Sequence, residues 1–288
     1  MFLSTNLFID NLIQQLLVGY RRTYGGWKSE YGEILAWAAG MALENIANSD
    51  ALYHNVEHTV FVTLVGQEIL RGKHIKEGGV TNEDWLHFLI SLQCHDIGYV
   101  RGVCSTDQPK ERLYATGVGD MKVSVPPGST DASMAPYHVD RGKLFVQERF
   151  GHHNLIDSET LKNNIELTRF PVPNDDDHNS TSSFPGLVRA ADLIGQLSDP
   201  RYLQKIPALY YEFEEIGTNK ALNYRNPGDL RSNYPSFYWQ AVYPYLPTAL
   251  AFLDLTQSGK QITANLYANV FMIEHEKERK RLAGVVAA

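Results

Sequence analysis

Apolar residues recur at helical spacing along most of this chain, and that pattern restricts the fold more than any other feature of the sequence. Between Trp85 and Leu92 they stand at positions i, i+3, i+4 and i+7, which form one buried face of an α-helix. Thr81 and Asp84 precede this face as an acidic variant of the capping box that begins many helices. Because no stretch shows a comparable strand-like alternation, we predict an all-α fold.

The other predicted helices follow from the same spacing. They cover about residues 1–20, 31–47, 55–70, 139–150, 158–168, 184–197 and 262–281. Further helices rich in aromatic residues are predicted after Pro200. No linker divides the chain, and a hydrophobic content of 43% is ample for one core, so we interpret residues 1–288 as a single domain.

The helical pattern is lost between Arg101 and Pro136. Glycine and proline residues mark turns throughout this segment, and no other period replaces the helical one. A loop of this length inside a domain usually has a function or lacks order. We consider two interpretations: a lid over a functional site, or a surface insertion such as a small hairpin.

Composition excludes several classes of protein. The formal net charge of −7 argues against a general nucleic-acid binder, which would carry a basic face. The first 20 residues lack the basic start and continuous apolar run of a signal peptide, and no window approaches the roughly 20 apolar residues of a membrane span. Two cysteines are too few for a disulfide framework. We therefore predict a cytoplasmic protein without a membrane partner.

Two acidic residues stand in apolar helical surroundings. Asp96 and its neighbour His95 directly follow the helix that starts at Trp85, where a carboxylate is costly unless it is paired or bound to a metal. Asp192 lies in the apolar segment 187–195, and aspartates are seldom buried without a partner. An ion pair with Arg189, three residues earlier, would explain Asp192, and so would a metal.

Two histidines precede them in the chain. His54 and His58 are four residues apart, so on a helix both side chains would point to one face. Both can then bind a metal, or one can bind it while the other transfers protons. The chain thus offers two imidazoles and two carboxylates as candidate ligands: His58, His95, Asp96 and Asp192. This set suits Zn, Mn, Fe or Mg better than an ion that prefers thiolates.

The order of these ligands resembles that of a known superfamily. A histidine, a His-Asp pair and a distant aspartate in a helical chain are similar to the HD superfamily of metal-dependent phosphohydrolases. The run Tyr53-His54-Asn55-x-x-His58 also resembles the corresponding motif of the cyclic-nucleotide phosphodiesterases. The resemblance extends over residues 53–200. It implies an HD core at about residues 50–200, with flanking helices in residues 1–49 and 201–288.

The resemblance also implies a role for each residue. His58, His95, Asp96 and Asp192 would bind a divalent ion, and Asp96 would bridge to a second one. Metal-activated water would attack a phosphoester, and His54 would donate a proton to the leaving oxygen. His54 and Asp96 would therefore take part in catalysis. The expected substrate is a small phosphorylated molecule, with nucleotides among the candidates, and the expected enzyme is a phosphoric ester hydrolase.

Two other functions remain open, because some HD proteins activate oxygen at a di-iron centre and others only sense a ligand. The oxygenase needs further histidine ligands, for which His138 and either His152 or His153 are available. Residues 97–99 read Ile-Gly-Tyr where the phosphodiesterases have Val-Asp-His-Pro-Gly, so a cyclic nucleotide is not implied. The cations available to hold a phosphate are Lys110, Arg112, Lys122, Arg141, Lys143 and Arg189.

Overall fold

Residues 2–286 contain twelve α-helices and one short hairpin, and the all-α prediction is confirmed, with 68% of the structure helical. The structure is a computed structural model that describes residues 2–286, with the side chains of residues 5–276, 278 and 279. Met1, where the first predicted helix starts, lies outside the described residues. Strands β1 (Leu113–Ala115) and β2 (Lys122–Ser124) pair antiparallel. The helices are α1 (Phe2–Tyr24), α2 (Ser29–Ile46), α3 (Val56–Glu77), α4 (Asn82–Cys94), α5 (His138–Phe150), α6 (Ser158–Glu166), α7 (Phe184–Leu197), α8 (Tyr202–Glu215), α9 (Thr218–Ala221), α10 (Pro227–Phe237), α11 (Pro247–Leu253) and α12 (Gln257–Val286).

Helix α4 begins at the predicted cap. The Thr81 hydroxyl accepts a hydrogen bond from the backbone N–H of Asp84 (3.0 Å), and the Asp84 carboxylate accepts one from the backbone N–H of Thr81 (2.9 Å). The apolar face that starts with Trp85 is buried in the core. Helix α4 therefore carries His95 and Asp96, which directly follow its last residue, into the protein interior.

Helices α3 and α7 pack against each other closely, and a glycine makes this possible. A Cβ atom added to Gly195 of α7 would lie 2.6 Å from the Cα atom of Val62 in α3, closer than real Cβ atoms approach. His58 lies four residues before Val62, and Asp192 lies three residues before Gly195. The close contact of the two backbones therefore also brings the side chains of His58 and Asp192 near each other.

Helix α3 runs further than the sequence predicts. We expected it to end near residue 70, because Gly72 follows, but it continues to Glu77. A Cβ atom on Gly72 would lie 2.1 Å from the carbonyl oxygen of Phe252. The glycine is therefore required for close packing of α3 against α11, and it does not end the helix.

Residues 101–136 include the hairpin and are fastened to α5 by a buried arginine. Arg141 donates hydrogen bonds to the backbone carbonyls of Gly98 (2.6 Å) and Val100 (2.8 Å). Its guanidinium also pairs with the carboxylate of Asp107, which lies within the segment, at 3.0 Å. Of the two interpretations of residues 101–136, the structure shows the small hairpin, formed by β1 and β2.

One hydrophobic cluster joins the helices from Ile9 in α1 to Ile273 in α12. Its largest fully buried side chains include Trp85, Tyr238 and Phe88. The apolar faces of the helices are thus turned toward a common interior. Among residues 2–286, no helix has both the length and the apolar character that are needed to cross a membrane.

Candidate metal centre and cavity

Three helices bring the four candidate ligands together. His58 lies in the first turn of α3, where Asn55 caps the helix by accepting hydrogen bonds from the backbone N–H groups of Glu57 and His58. His95 and Asp96 follow α4, and the fourth ligand, Asp192, lies in α7. Ligand atoms of His58, His95 and Asp192 all lie within 4.8 Å of one another. Because these four residues are candidates for holding an ion, we call them the metal centre.

The distances within the metal centre fit a common ion. The Oδ2 atom of Asp96 lies 3.1 Å from Nε2 of His58 and 3.1 Å from Nε2 of His95. The Oδ1 atom of Asp192 lies 3.6 Å and 3.3 Å from the same two nitrogens. Although these atoms lie close together, neither Nε2 of His95 nor Oδ2 of Asp96 makes a contact with hydrogen-bond geometry in the part of the chain that the structure describes, and both are buried. Buried polar atoms rarely lack a partner, and a metal ion would satisfy both.

The backbone orients the His95 ring toward the metal centre. Its Nδ1 atom lies 2.7 Å from the carbonyl oxygen of Leu92. A carbonyl can only accept a hydrogen bond, so we infer that Nδ1 carries the proton of the neutral ring and that Nε2 is free to bind a metal. A hydrogen bond of this kind is the usual support of a metal-binding histidine.

The charges of the metal centre depend on one another. Burial lowers the pKa of His95, but the negative charges of Asp96 and Asp192 outweigh it and raise that pKa well above 6.5. Burial also acts to raise the pKa of Asp192, yet the neighbouring histidines hold it down at about 2. Without an ion, a protonated imidazole therefore compensates the carboxylates. Metal binding would displace that proton.

The ion pair between Asp192 and Arg189 that the sequence allowed is not formed. Arg189 instead donates hydrogen bonds to the carbonyls of His178 (2.7 Å) and Ser180 (2.6 Å). Its guanidinium lies 4.1 Å from the centre of the Tyr245 ring. Asp192 therefore faces the imidazoles, and Arg189 stabilises the loop before α7.

His54 lies in the same region, but not for the reason that the sequence suggested. We expected a helix to carry His54 and His58 on one face, whereas α3 begins after His54, and Asn55 is its cap. The carboxylate of Glu212 in α8 positions the His54 ring, with 2.5 Å between Oε2 and Nδ1. Glu212 also accepts hydrogen bonds from the backbone N–H groups of Tyr53 (2.6 Å) and His54 (3.2 Å).

The interaction with Glu212 sets the charge of His54. Burial would lower the pKa of His54, but the charges of Glu212 and Asp96 raise it to about 9. The metal-free site therefore favours the protonated form of His54. We did not predict Glu212, because it lies 158 residues from His54. The only signal in the sequence is a single carboxylate in the otherwise apolar and aromatic run 209–213.

Tyr99 stands between two histidines. Its ring stacks on that of His54, with centres 4.4 Å apart, and on that of His138, with centres 4.6 Å apart. The Nδ1 atom of His138 donates to the carbonyl of Ala135 (2.6 Å), and its Nε2 atom lies 3.9 Å from Oδ1 of Asp96. Asp96 thus has one oxygen near His58 and His95 and the other near His138, as a carboxylate that bridges two ions would.

The later histidine pair does not join this group. His153 stacks on Trp37, with ring centres 6.1 Å apart, and its Nδ1 atom accepts a hydrogen bond from the backbone N–H of Leu155. His152 is exposed. Of the three additional histidines that an oxygenase could use, the structure brings only His138 to the metal centre.

A cavity of about 330 Å³ adjoins the metal centre. His54, Asp96, His138, Asp192 and Glu212 line one part of it. The other part is largely apolar and includes a set of rings that we call the aromatic wall: Tyr202, Phe213, Tyr224, Tyr234 and Phe237. The volume of the cavity is in the range of sites that bind a small organic molecule. Of residues 101–136, only the last two line the cavity, so the hairpin is not its lid.

Comparison with protein families gives one result that covers nearly the whole chain. A family model described as Npun_R2479-like matches residues 2–276. The matched region contains the metal centre, His54, Glu212 and the aromatic wall. Comparisons with curated proteins and with solved structures find no match.

Proposed function

The chain belongs to the Npun_R2479-like family, and we propose that it is a metal-dependent phosphohydrolase that cleaves a phosphoester of a small molecule, with nucleotides among the candidates. The convergence of His58, His95 and Asp192 within 4.8 Å supports this proposal most strongly. Asp96 completes a set of two imidazoles and two carboxylates beside a cavity of suitable size. Such a set suits a hard or borderline divalent ion.

The four residues of the metal centre would hold the first ion, and Asp96 and His138 would contribute to a second. A bound divalent ion supplies hydroxide near neutral pH, because it lowers the pKa of water to about 7. The protein contributes a rigid frame for this chemistry. The Leu92 carbonyl fixes the His95 ring, and the Ala135 carbonyl fixes the His138 ring.

His54 would act as the proton donor. The charge of Glu212 favours the protonated ring, and Glu212 occupies the Nδ1 position. The proton on Nε2 is therefore the one that can pass to a leaving oxygen. A general acid that protonates a leaving group typically accelerates the reaction by roughly 10²–10⁴-fold.

The proposal is tested by reconstitution. The protein is stripped of metal, reloaded separately with Mn, Mg, Zn or Co, and assayed with phosphomonoesters and phosphodiesters. We expect turnover that depends on the added ion and returns when the ion is restored. A protein that binds the ions stoichiometrically but cleaves neither class of ester would contradict the proposal and favour the ligand-sensing alternative.

The structure gives the oxygenase alternative less support. It calls for additional histidine ligands, and only His138 is near the metal centre. We propose a cytoplasmic location for the reaction, as the sequence predicts. Cys94 and Cys104 are free thiols, as is usual in a reducing compartment.

A further inference from the structure

We infer that the substrate carries a single phosphate on an aromatic group with a hydrogen-bond acceptor, and that esters with a chain of phosphates are excluded. This inference rests on the proposed phosphohydrolase function and adds a substrate class to it. It follows from the charges and the shape of the cavity.

The cavity has no basic side chain to hold additional phosphates. Among the described residues that line it, none is a lysine or an arginine. The side chains that would carry a negative charge there are Asp96, Asp192 and Glu212. One phosphate can be compensated by the bound ion, whose candidate ligands Asp96 and Asp192 line the cavity. Each additional phosphate would bring more negative charge into an acidic cavity, where like charges repel strongly.

Three of the six cations that the sequence offered for phosphate binding have other partners. Arg141 is fully buried and holds the segment that contains the hairpin. Arg189 is bound to backbone carbonyls in front of α7. Lys143 pairs with Asp140 at 2.9 Å and with Glu166 at 2.5 Å. None of them can turn into the cavity without breaking contacts that stabilise the fold.

The aromatic wall offers flat apolar surfaces. The rings of Tyr202 and Tyr234 lie 5.0 Å apart at an angle of 56°. Phe237 meets Phe170, another lining residue, edge to face at 5.7 Å. Surfaces of this kind favour a planar group, because aromatic pairs gain energy beyond the apolar area that they bury.

One polar group in the wall lacks a partner. The hydroxyl of Tyr234 is buried and makes no hydrogen bond to any described residue, although Tyr234 is only 2% exposed and lines the cavity. The Tyr224 hydroxyl, by contrast, accepts a hydrogen bond from Asn233 at 2.7 Å. A phenol is both donor and acceptor, and a ligand acceptor would satisfy the Tyr234 O–H. The aromatic group should therefore carry an oxygen or nitrogen acceptor.

Binding tests the aromatic part without turnover. Calorimetry on the metal-loaded protein compares benzylphosphonate, pyridylmethylphosphonate and ethylphosphonate. We expect benzylphosphonate to bind at least about tenfold more tightly than ethylphosphonate, because the ring buries additional apolar area.

Variants of the aromatic wall test the same inference. The pyridyl compound should lose affinity in Tyr234→Phe, whereas benzylphosphonate should not. Phe237→Ala should abolish the preference for a ring, and Phe271→Ala, which removes a half-exposed ring outside the cavity, should retain it. Equal affinity of benzylphosphonate and ethylphosphonate would overturn the inference.

Turnover tests the exclusion of phosphate chains. The protein should cleave benzyl phosphate at least about tenfold more efficiently than benzyl diphosphate. Leu222 lines the cavity and is 52% exposed, so a lysine can replace it without burial of the charge. Leu222→Lys should raise the efficiency with the diphosphate several-fold, and the uncharged Leu222→Gln should not. Equal or better cleavage of the diphosphate by the unmodified protein would refute the exclusion while leaving the phosphohydrolase in place. Selective binding of benzylphosphonate without cleavage of either ester would refute the proposed phosphohydrolase function. The inferred class of ligand would then still stand.

Discussion

The metal centre and the aromatic wall meet in one cavity but are built in different ways. The metal centre uses residues 58–192, is held by backbone hydrogen bonds and consists entirely of groups that can carry charge. The aromatic wall uses residues 202–237 and depends on packing of rings. We infer that the first part determines which reaction occurs, and that the second determines which molecule is accepted. Substitutions should therefore affect the two parts separately.

The largest effect is expected from removal of a ligand. His95→Ala removes one of the two candidate imidazole ligands, so the protein should lose its metal and its turnover should fall to background. Elemental analysis measures the metal content, and circular dichroism measures the helicity, which should be largely retained. His153→Ala removes a histidine outside the site and should keep full metal content. Full metal content in His95→Ala would show that the ion is bound elsewhere.

The next effect separates metal binding from proton transfer. His54→Asn removes the proposed donor but no ligand of the metal centre, so metal content should remain nearly unchanged. Turnover of alkyl esters should fall by roughly 10²–10⁴-fold. The loss should be smaller for nitrophenyl esters, since nitrophenolate leaves without a proton. The ratio of the two losses, measured at one pH, is the decisive quantity. Equal losses on both esters would assign His54 a purely structural role.

The two parts also differ in how well the sequence predicted them. The position of three candidate ligands could be predicted, because apolar helical spacing placed His95, Asp96 and Asp192 in the interior, where charged groups need a partner. That they bind an ion stays a prediction. Which aromatic residues form a wall could not be predicted, since a ring that packs in the core and a ring that lines a cavity have the same pattern. Glu212 was missed for a related reason: a contact over 158 residues leaves no periodic signal.

Helix ends show the same limit. The start of α4 was correctly predicted from Thr81 and Asp84, which act locally. The end of α3 was wrong, because Gly72 serves a contact with α11 that no local pattern reveals. The sequence correctly predicted that His54 lies near the candidate ligands. The reason was wrong, because Glu212, and not a shared helix face, positions the His54 ring.

A smaller effect should come from the link between the two parts of the cavity. Glu212→Gln removes the largest of the charges that raise the pKa of His54 to about 9. In the unmodified protein, the protonated donor is present below that pKa and is lost as the pH rises through about 9. The variant should lose it at least about one pH unit earlier, and turnover at pH 9.5 should fall by about eightfold or more. NMR titration of His54 in the metal-free protein checks the shift independently of turnover, and an unchanged titration would refute it.

The smallest effect is expected at Tyr99, whose ring separates His54 from His138. Tyr99→Leu removes the stacking contact with His54, the proposed donor, and an aromatic pair contributes about 0.5–1.5 kcal/mol, so turnover should fall by roughly 3- to 10-fold. Tyr99→Phe keeps the ring and should retain turnover within about twofold. Metal content should be normal in both variants, and the ring preference for phosphonates should not change, because the aromatic wall is intact. A Tyr99→Phe variant as impaired as Tyr99→Leu would show that the hydroxyl, rather than the stack, holds the two histidines in place.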